Sequence, residues 1–102
     1  MSTLHTVNKP SWNSDLLASC LRVASAADTL LLIEDGIYNV RTLEALAAAM
    51  DIHLDQLQIC VLRVDLLARG MAEGDLPANI TAIDYAGFVE LVCRHQQSVH
   101  WF

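Results

Sequence analysis

Short apolar runs alternate with amphipathic segments along most of the chain. Strand-like runs, rich in Leu, Ile, Val and Thr, occupy residues 4–7, 29–33, 57–62 and 80–83. The run at 29–33 is continuously apolar and bounded by acidic residues, which is typical of a central strand covered on both faces. A fifth run, residues 98–102, predicts an edge strand near the end of the chain.

The segments between these runs have helical periodicity. The first carries a stripe that repeats at helical spacing and follows Asn13 or Ser14, either of which can cap a helix; its members are Leu17, Cys20, Leu21, Ala24 and Ala27. Residues 40–50, 64–69 and 85–95 predict three further helices, and Gly70 is placed to end the helix at 64–69 in the left-handed conformation.

Strands that alternate with helices at this spacing predict right-handed β-α-β crossovers. The expected fold is a single domain over residues 1–102: a three-layer α/β/α arrangement with an open, mostly parallel sheet of about five strands. The strand order stays open. Sites in such sheets form where strands end at the carboxyl edge, which here means loops 8–14, 34–37, 63–65 and 84–87.

Composition adds an apolar surplus. Counted with glycine and without tyrosine, about 56% of the 102 residues are apolar, against roughly 45–50% in ordinary soluble domains, and only 18% are charged. A chain of this size has one core and little room to hide the excess. The surplus predicts subunit interfaces.

Other features exclude whole classes of function. The longest apolar run, residues 45–50, is far shorter than the roughly 20 residues of a membrane span. Residues 1–10 show no apolar leader segment. We therefore expect a cytoplasmic protein with no membrane partner. The net charge is −6, Lys9 is the one lysine and the five arginines are scattered, which argues against direct binding of nucleic acid. Cysteines separated by 40 and 33 residues form no disulfide framework and indicate free thiols.

The cysteines are the only soft nucleophiles. Cys60 lies inside a predicted buried strand, and Cys93 lies late in the last helix, so both are expected to be structural or interfacial. Cys20 has apolar helical neighbours that would raise a thiol pKa, but it lies about two turns into the helix that follows the first strand. It is the candidate reactive cysteine.

A second hypothesis uses Glu34, Asp35 and His5 as acid, base or ligands of a small-molecule enzyme at the sheet edge. Adjacent acids before Gly36 are more often turn residues. No zinc spacing, catalytic triad or glycine-rich phosphate loop is present, so no metal or cofactor is expected.

Four runs in register resemble the DsrH/TusB family of sulfur-relay subunits. They are Leu-His-Thr-Val-Asn-Lys at 4–9 with Trp12, Asp-Thr-Leu-Leu-Leu-Ile-Glu-Asp-Gly at 28–36, Val-Leu-Arg-Val-Asp-Leu-Leu-Ala-Arg-Gly at 61–70, and Ile-Asp-Tyr at 83–85 with Phe88-Val89, His95 and Trp101.

The resemblance implies a DsrE-like fold and a 2:2:2 heterohexamer with two paralogous subunits of DsrE-like and DsrF-like type. Such complexes pass persulfide sulfur to a downstream DsrC/TusE-like carrier, and their main active cysteine belongs to a partner subunit. This chain would then be a non-autonomous subunit, with Cys20 as a secondary persulfide cysteine.

The family has two branches. DsrH-type members serve dissimilatory oxidation of stored sulfur, and TusB-type members serve 2-thiouridine formation at the tRNA wobble position. Cys20 looks like a cysteine of the DsrH branch, so that branch is the favoured interpretation and TusB is the alternative. A purely structural interaction module that never carries sulfur is a further alternative.

Overall fold

The computed structural model describes residues 2–12 and 14–102. Five strands and four α-helices alternate along this part of the chain. The strands are β1 (Thr3–Val7), β2 (Thr29–Leu32), β3 (Gln58–Leu62), β4 (Ile80–Ile83) and β5 (Gln97–Trp101), and the helices are α1 (Leu16–Val23), α2 (Leu43–Ala49), α3 (Arg63–Ala68) and α4 (Tyr85–Arg94). Short 3₁₀ segments lie at Glu34–Arg41, Leu54–Gln56 and Glu73–Asp75.

The strands form one sheet in the order β4-β3-β2-β1-β5. Every pairing is parallel, including that of the tail strand β5, whose Val99 lies beside His5 of β1. The predicted three-layer α/β/α fold with a five-stranded parallel sheet is confirmed, and β5 is the expected edge strand.

The two helical layers are unequal, and the strand order explains why. The steps from β1 to β4 all run in one direction, so right-handed crossovers place α1, α2 and α3 on the same face of the sheet. The return from β4 to the far edge runs the other way and places α4 on the opposite face. We call these the three-helix face and the α4 face.

Strand side chains alternate between the two faces and fill two separate cores. The larger core, on the three-helix face, joins Leu30 and Leu32 of β2 to Leu17 and Cys20 of α1. The smaller one places Leu4, Leu31 and Cys60 beneath Leu91 of α4. A single helix of ten residues cannot cover a five-stranded face, so β5 stays largely exposed.

Helix α1 is shorter than its apolar stripe predicts. It ends at Val23, and Ala24 has extended backbone at ψ 139°. A local turn competes with further helix, because the Ser25 N–H donates to Asp28 Oδ2 at 2.9 Å and the Asp28 N–H donates to the Ser25 carbonyl at 2.9 Å. At the other end, Ser14 Oγ accepts from the Leu16 N–H at 3.2 Å, whereas Asn13 lies outside the described residues.

The segment after β2 also differs from the prediction. A 3₁₀ segment occupies Glu34–Arg41, where a sharp turn at residues 34–36 and a helix from residue 40 were expected, and α2 begins only at Leu43. Buried Asn39 fixes it: its side-chain oxygen accepts from the Ser11 N–H at 2.8 Å, and its amide donates to the Lys9 carbonyl at 2.9 Å. These bonds attach the segment to the loop after β1.

Two glycines are required by geometry. A Cβ on Gly36 would lie 2.0 Å from the Val7 carbonyl oxygen, so only glycine lets the 3₁₀ segment pass this close to β1. Gly70 has φ +75° and follows α3, which confirms the predicted left-handed helix end.

Candidate functional site

The predicted site edge contains a crevice of about 340 Å³. It lies where β1, β2 and β5 end, and its lining residues are Thr6, Asn8, Ile33, Glu34, His100, Trp101 and Phe102. Two of the four predicted loops, 8–14 and 34–37, contribute to it.

Topology explains why a crevice forms at this place. All five strands are parallel, so their carboxyl ends lie at one edge of the sheet, and the crevice opens where the carboxyl ends of β1, β2 and β5 meet. The carboxyl edge of the strands is the usual position of a binding crevice in open α/β sheets. The crevice is therefore the candidate site that the fold favours.

The crevice offers hydrogen-bonding groups. Thr6 Oγ1 and His100 Nδ1 are 2.6 Å apart and hydrogen-bonded. Asn8 Oδ1 is buried without a hydrogen-bond partner among the described residues. Glu34 has φ 50°, and its N–H donates to Asp65 Oδ2 at 2.7 Å. The lining contains no cysteine, so persulfide chemistry here would need a thiol from another chain.

The residues of the other two predicted loops lie farther along the same edge and have structural roles, but residues 63–65 and 85–87 form the first turns of α3 and α4 and are not loops. Arg69 Nη2 binds Asp35 Oδ1 at 3.0 Å, and the Arg69 guanidinium also donates to the Asp65 carbonyl at 3.1 Å. Asp84 Oδ1 accepts from the Gly87 N–H at 2.8 Å and caps α4. These contacts join the turns after β2 and β3 and start the last helix.

The structure does not bring the three residues of the small-molecule hypothesis together. Glu34 lines the crevice, Asp35 is paired with Arg69, and His5 is buried within β1 on the three-helix face. The described residues also contain no group of three or more His, Cys, Asp or Glu side chains placed to hold a metal ion.

His5 instead belongs to a buried hydrogen-bond network that sequence reasoning missed. Its Nε2 donates to Asp28 Oδ2 at 2.9 Å, and its Nδ1 accepts from Trp101 Nε1 at 3.1 Å. These two partners fix the neutral tautomer with hydrogen on Nε2. These hydrogen bonds connect β5 to β1 and to the turn before β2. The network could not be predicted without the strand order.

Asp28 is the anionic member of this hydrogen-bond network. Burial acts to raise its pKa, but the Ser25 N–H, the His5 side chain and the Thr3 N–H all donate to the carboxylate, so the pKa of Asp28 is lowered. A carboxylate with three donors is held in its charged form.

Cys20, the candidate reactive cysteine, is fully buried in the core on the three-helix face. Burial raises the pKa of its thiol to about 12, and the nearby negative charge of Asp28 adds to the increase. The structure places it among Leu17, Leu21 and their neighbours rather than at the crevice. Its role as a persulfide cysteine stays a prediction that requires α1 to move.

The other two thiols occupy different environments. Cys60 is buried beneath α4, where burial raises its pKa against the opposing effect of the Arg94 charge. Cys93 is exposed on α4. It is the most accessible of the three, but it belongs to a helix face and not to the crevice.

A second buried histidine stabilises the amino end of β2. The Thr29 hydroxyl donates to Gln58 Oε1 at 3.2 Å and accepts from His95 Nε2 at 2.8 Å. His95 Nδ1 is buried and has no hydrogen-bond partner within the part of the chain that the structure describes. Burial and the Arg94 charge lower the pKa of His95, so the ring is neutral.

The fold and site define a class: a small α/β protein with a parallel sheet, a crevice at the carboxyl edge of that sheet and no thiol lining the crevice. The family model for DsrH-like proteins matches residues 9–98. Proteins named TusB from Escherichia coli O139:H28 and Shigella boydii serotype 18 are 35% identical to this chain over an alignment of 102 positions. The alignment covers 96% of this chain and 99% of each relative. The chain therefore belongs to the DsrH/TusB family of sulfur-relay subunits.

Two solved structures share the fold of this chain. Protein Tm0979 from Thermotoga maritima is 26% identical with a TM-score of 0.64, and the match covers 88% of this chain and 90% of that protein. The YchN protein of Escherichia coli has a TM-score of 0.69 over 97% of both chains at 13% identity, which supports the fold alone.

The comparisons change the preference between the two branches. Cys20 favoured the DsrH branch, but the curated relatives above are named TusB. The TusB alternative is better supported than the sulfur-oxidation interpretation.

Within the described residues, no helix has the length and apolar character needed to cross a membrane.

Proposed function

We propose that this chain is a TusB-type subunit of the cytoplasmic sulfur relay that serves 2-thiouridine formation at the tRNA wobble position. The observation that carries the proposal is the 35% identity to TusB proteins over 96% of the chain. The role in tRNA thiolation is inferred from this resemblance to the TusB branch.

Within the relay we propose a non-autonomous, mainly architectural role. Two of the three thiols are buried on opposite faces of the sheet, and the crevice has no cysteine in its lining. The reactive thiol would then belong to a paralogous partner in a 2:2:2 complex, and a TusE-like carrier would accept the sulfur.

Persulfide transfer needs an accessible thiolate. The thiolate attacks the outer sulfur of a donor persulfide, a new S–S bond forms on the acceptor, and the donor cysteine leaves as a thiolate. Cys20 could take part only in an assembly that exposes it, because its pKa of about 12 leaves almost no thiolate at neutral pH.

Deletion of the gene in the source organism tests the proposal. Total tRNA is digested to nucleosides, and wobble 2-thiouridine is measured by mass spectrometry. We expect the modified nucleoside to be lost on deletion and restored by the wild-type gene. An unchanged 2-thiouridine level in the deletion strain would contradict the TusB assignment.

The DsrH role in dissimilatory oxidation of stored sulfur is the second candidate. Cys20 is the feature in its favour, since it looks like a cysteine of that branch. The same deletion strain separates the two: intact 2-thiouridine together with failure to oxidise stored sulfur would support the DsrH role.

A further inference from the structure

The crevice at the carboxyl ends of β1, β2 and β5 contains no cysteine, so sulfur transfer does not account for it. Val7 and Trp101 pack in the larger core on the three-helix face. Side chains alternate along a strand, so their neighbours Thr6 and His100 lie on the α4 face. The hydrogen-bonding side of the crevice is therefore on the face that has only one helix.

Hydrogen-bond acceptors predominate in this crevice. Asn8 Oδ1 is buried and accepts no hydrogen bond from the residues that the structure describes. Glu34 borders the same space, and its carboxylate forms no ion pair within residues 2–12 and 14–102. Buried acceptors in folded proteins nearly always have a donor. The crevice is therefore suited to a molecule that brings N–H or O–H groups.

The neighbouring cations do not neutralise this carboxylate. Arg69 Nη2 binds Asp35 Oδ1 at 3.0 Å, and Arg69 Nη1 lies 4.0 Å from Asp65 Oδ1, so one guanidinium already faces two carboxylates. Lys9 follows Asn8 in the sequence but is not among the residues that border the crevice. The chain as a whole has a net charge of −6. The local field therefore attracts a cation and repels an anion.

An exposed aromatic ring lies beside these acceptors. Phe102 is 75% exposed, and its ring centroid is 6.4 Å from that of His100. Aromatic faces attract cations, and a planar guanidinium can stack on a ring while it donates to a carboxylate. The described residues hold no cluster of three metal-ligating side chains. An organic cation therefore fits the crevice better than a metal ion does.

We propose that the crevice binds a small organic cation with a guanidinium head group. The N–H groups donate to Asn8 Oδ1 and to the Glu34 carboxylate, and the planar face lies against Phe102. The crevice volume of about 340 Å³ is that of a site for a small ligand. This binding needs no thiol, so it is independent of the proposed relay function.

Two probes of the same shape test the proposal. Butylguanidinium and butylurea both carry N–H donors on a planar head group, but only the first is charged. Each is titrated into the ¹⁵N-labelled full chain at pH 7.5, above the usual titration range of histidine, and followed by NMR. We expect the signals of Thr6, Asn8 and Glu34 to shift, and butylguanidinium to bind at least about threefold more tightly than butylurea.

Three variants separate the contacts. Glu34→Gln removes the charge, so it should weaken butylguanidinium binding about two- to fivefold and leave butylurea binding unchanged. Glu90→Gln is the matched control and should change neither, because Glu90 is exposed on α4 and does not border the crevice. Asn8→Ala removes the buried acceptor and should weaken both probes. Melting temperatures are measured first, and the exposed position of Glu34 keeps the test open if Asn8→Ala does not fold.

Three results would overturn the proposal. Equal affinities of the two wild-type titrations would exclude a cation-selective site. Shifts confined to Glu44, Asp51 and Asp55, which border a separate hollow, would show that the probe collects on another acidic surface. Undiminished binding of butylguanidinium to Glu34→Gln would remove the carboxylate from the site. The proposed function stands in each case, because tRNA thiolation is measured separately.

Discussion

Alkylation of the three cysteines provides a direct test of where the structure places them. The pKa of Cys20 is raised to about 12, so its thiolate fraction at pH 8 is about 10⁻⁴, compared with about a quarter for an ordinary thiol with a pKa near 8.5. Because the thiolate is the reacting species, ionisation alone slows Cys20 about a thousandfold. Burial slows it further, since α1 must open before the reagent can enter.

The assay treats the native chain with iodoacetamide at pH 8 and follows each cysteine peptide by mass spectrometry. We expect Cys93 to react first and Cys20 to react at least about a thousandfold more slowly. Cys60 should also react more slowly than Cys93, because it is buried and burial raises the pKa of its thiol. In urea, all three should react at similar rates, which is the control. Native labelling of Cys20 within about tenfold of Cys93 would refute the burial argument and would strengthen its candidacy as a sulfur carrier.

Three further perturbations test the fold itself. Gly36→Ala should destabilise the protein by about 3 kcal/mol or more in urea unfolding, because its Cβ would meet the Val7 backbone; a loss below about 1 kcal/mol would contradict the close approach. Leu31→Ala should cost about 2–5 kcal/mol with an unchanged denaturant slope, since Leu31 is fully buried beneath α4; a neutral result would mean that this core is not packed as described. The lowered pKa of Asp28 means that the unfolded chain binds more protons than the folded one below about pH 4, so stability falls there as the pH falls. Asp28→Asn should be less stable at pH 7 and lose less of its stability on acidification, as followed by thermal melting from pH 7 to pH 3; an equal loss in both proteins would refute this.

Much of the fold follows from local patterns in the sequence. Short apolar runs identify β1, β2 and β3 because helices cover these strands, and Gly70 identifies the end of α3 because its left-handed backbone favours glycine. The strand order does not follow, because nothing in the tail residues shows that β5 pairs with β1. The early end of α1 was also hidden, since it depends on the carboxylate of Asp28 four residues beyond Ala24.

The site could be predicted only in part. The carboxyl-edge rule located loops 8–14 and 34–37, which do border the crevice, because that rule depends on parallel topology alone. Contacts between distant residues, such as Thr6 with His100 and His5 with Trp101, depend on the β1–β5 register and could not be read from spacing. Cys20 seemed close to the edge because of its position in α1, but its side chain faces the core.

The apolar surplus of the sequence also has a location in the structure. The three-helix face and the α4 face bury their own cores, and nine large apolar side chains of the described residues remain exposed, spread over α1, α3, α4, β5 and the segments outside them. The excess therefore lies on the surface rather than in an enlarged interior.

Sulfur loading of the assembled relay tests the central claim most directly. The chain alone and the complex with its partner subunits are each incubated with a sulfane-sulfur donor, and every cysteine peptide is checked for the added mass of one sulfur atom. We expect the complex to carry sulfur on a partner thiol and to pass it to the carrier, while the native chain alone takes up none on Cys20 or Cys60 and passes none on. A chain that loads and transfers sulfur by itself at the rate of the complex would contradict the account.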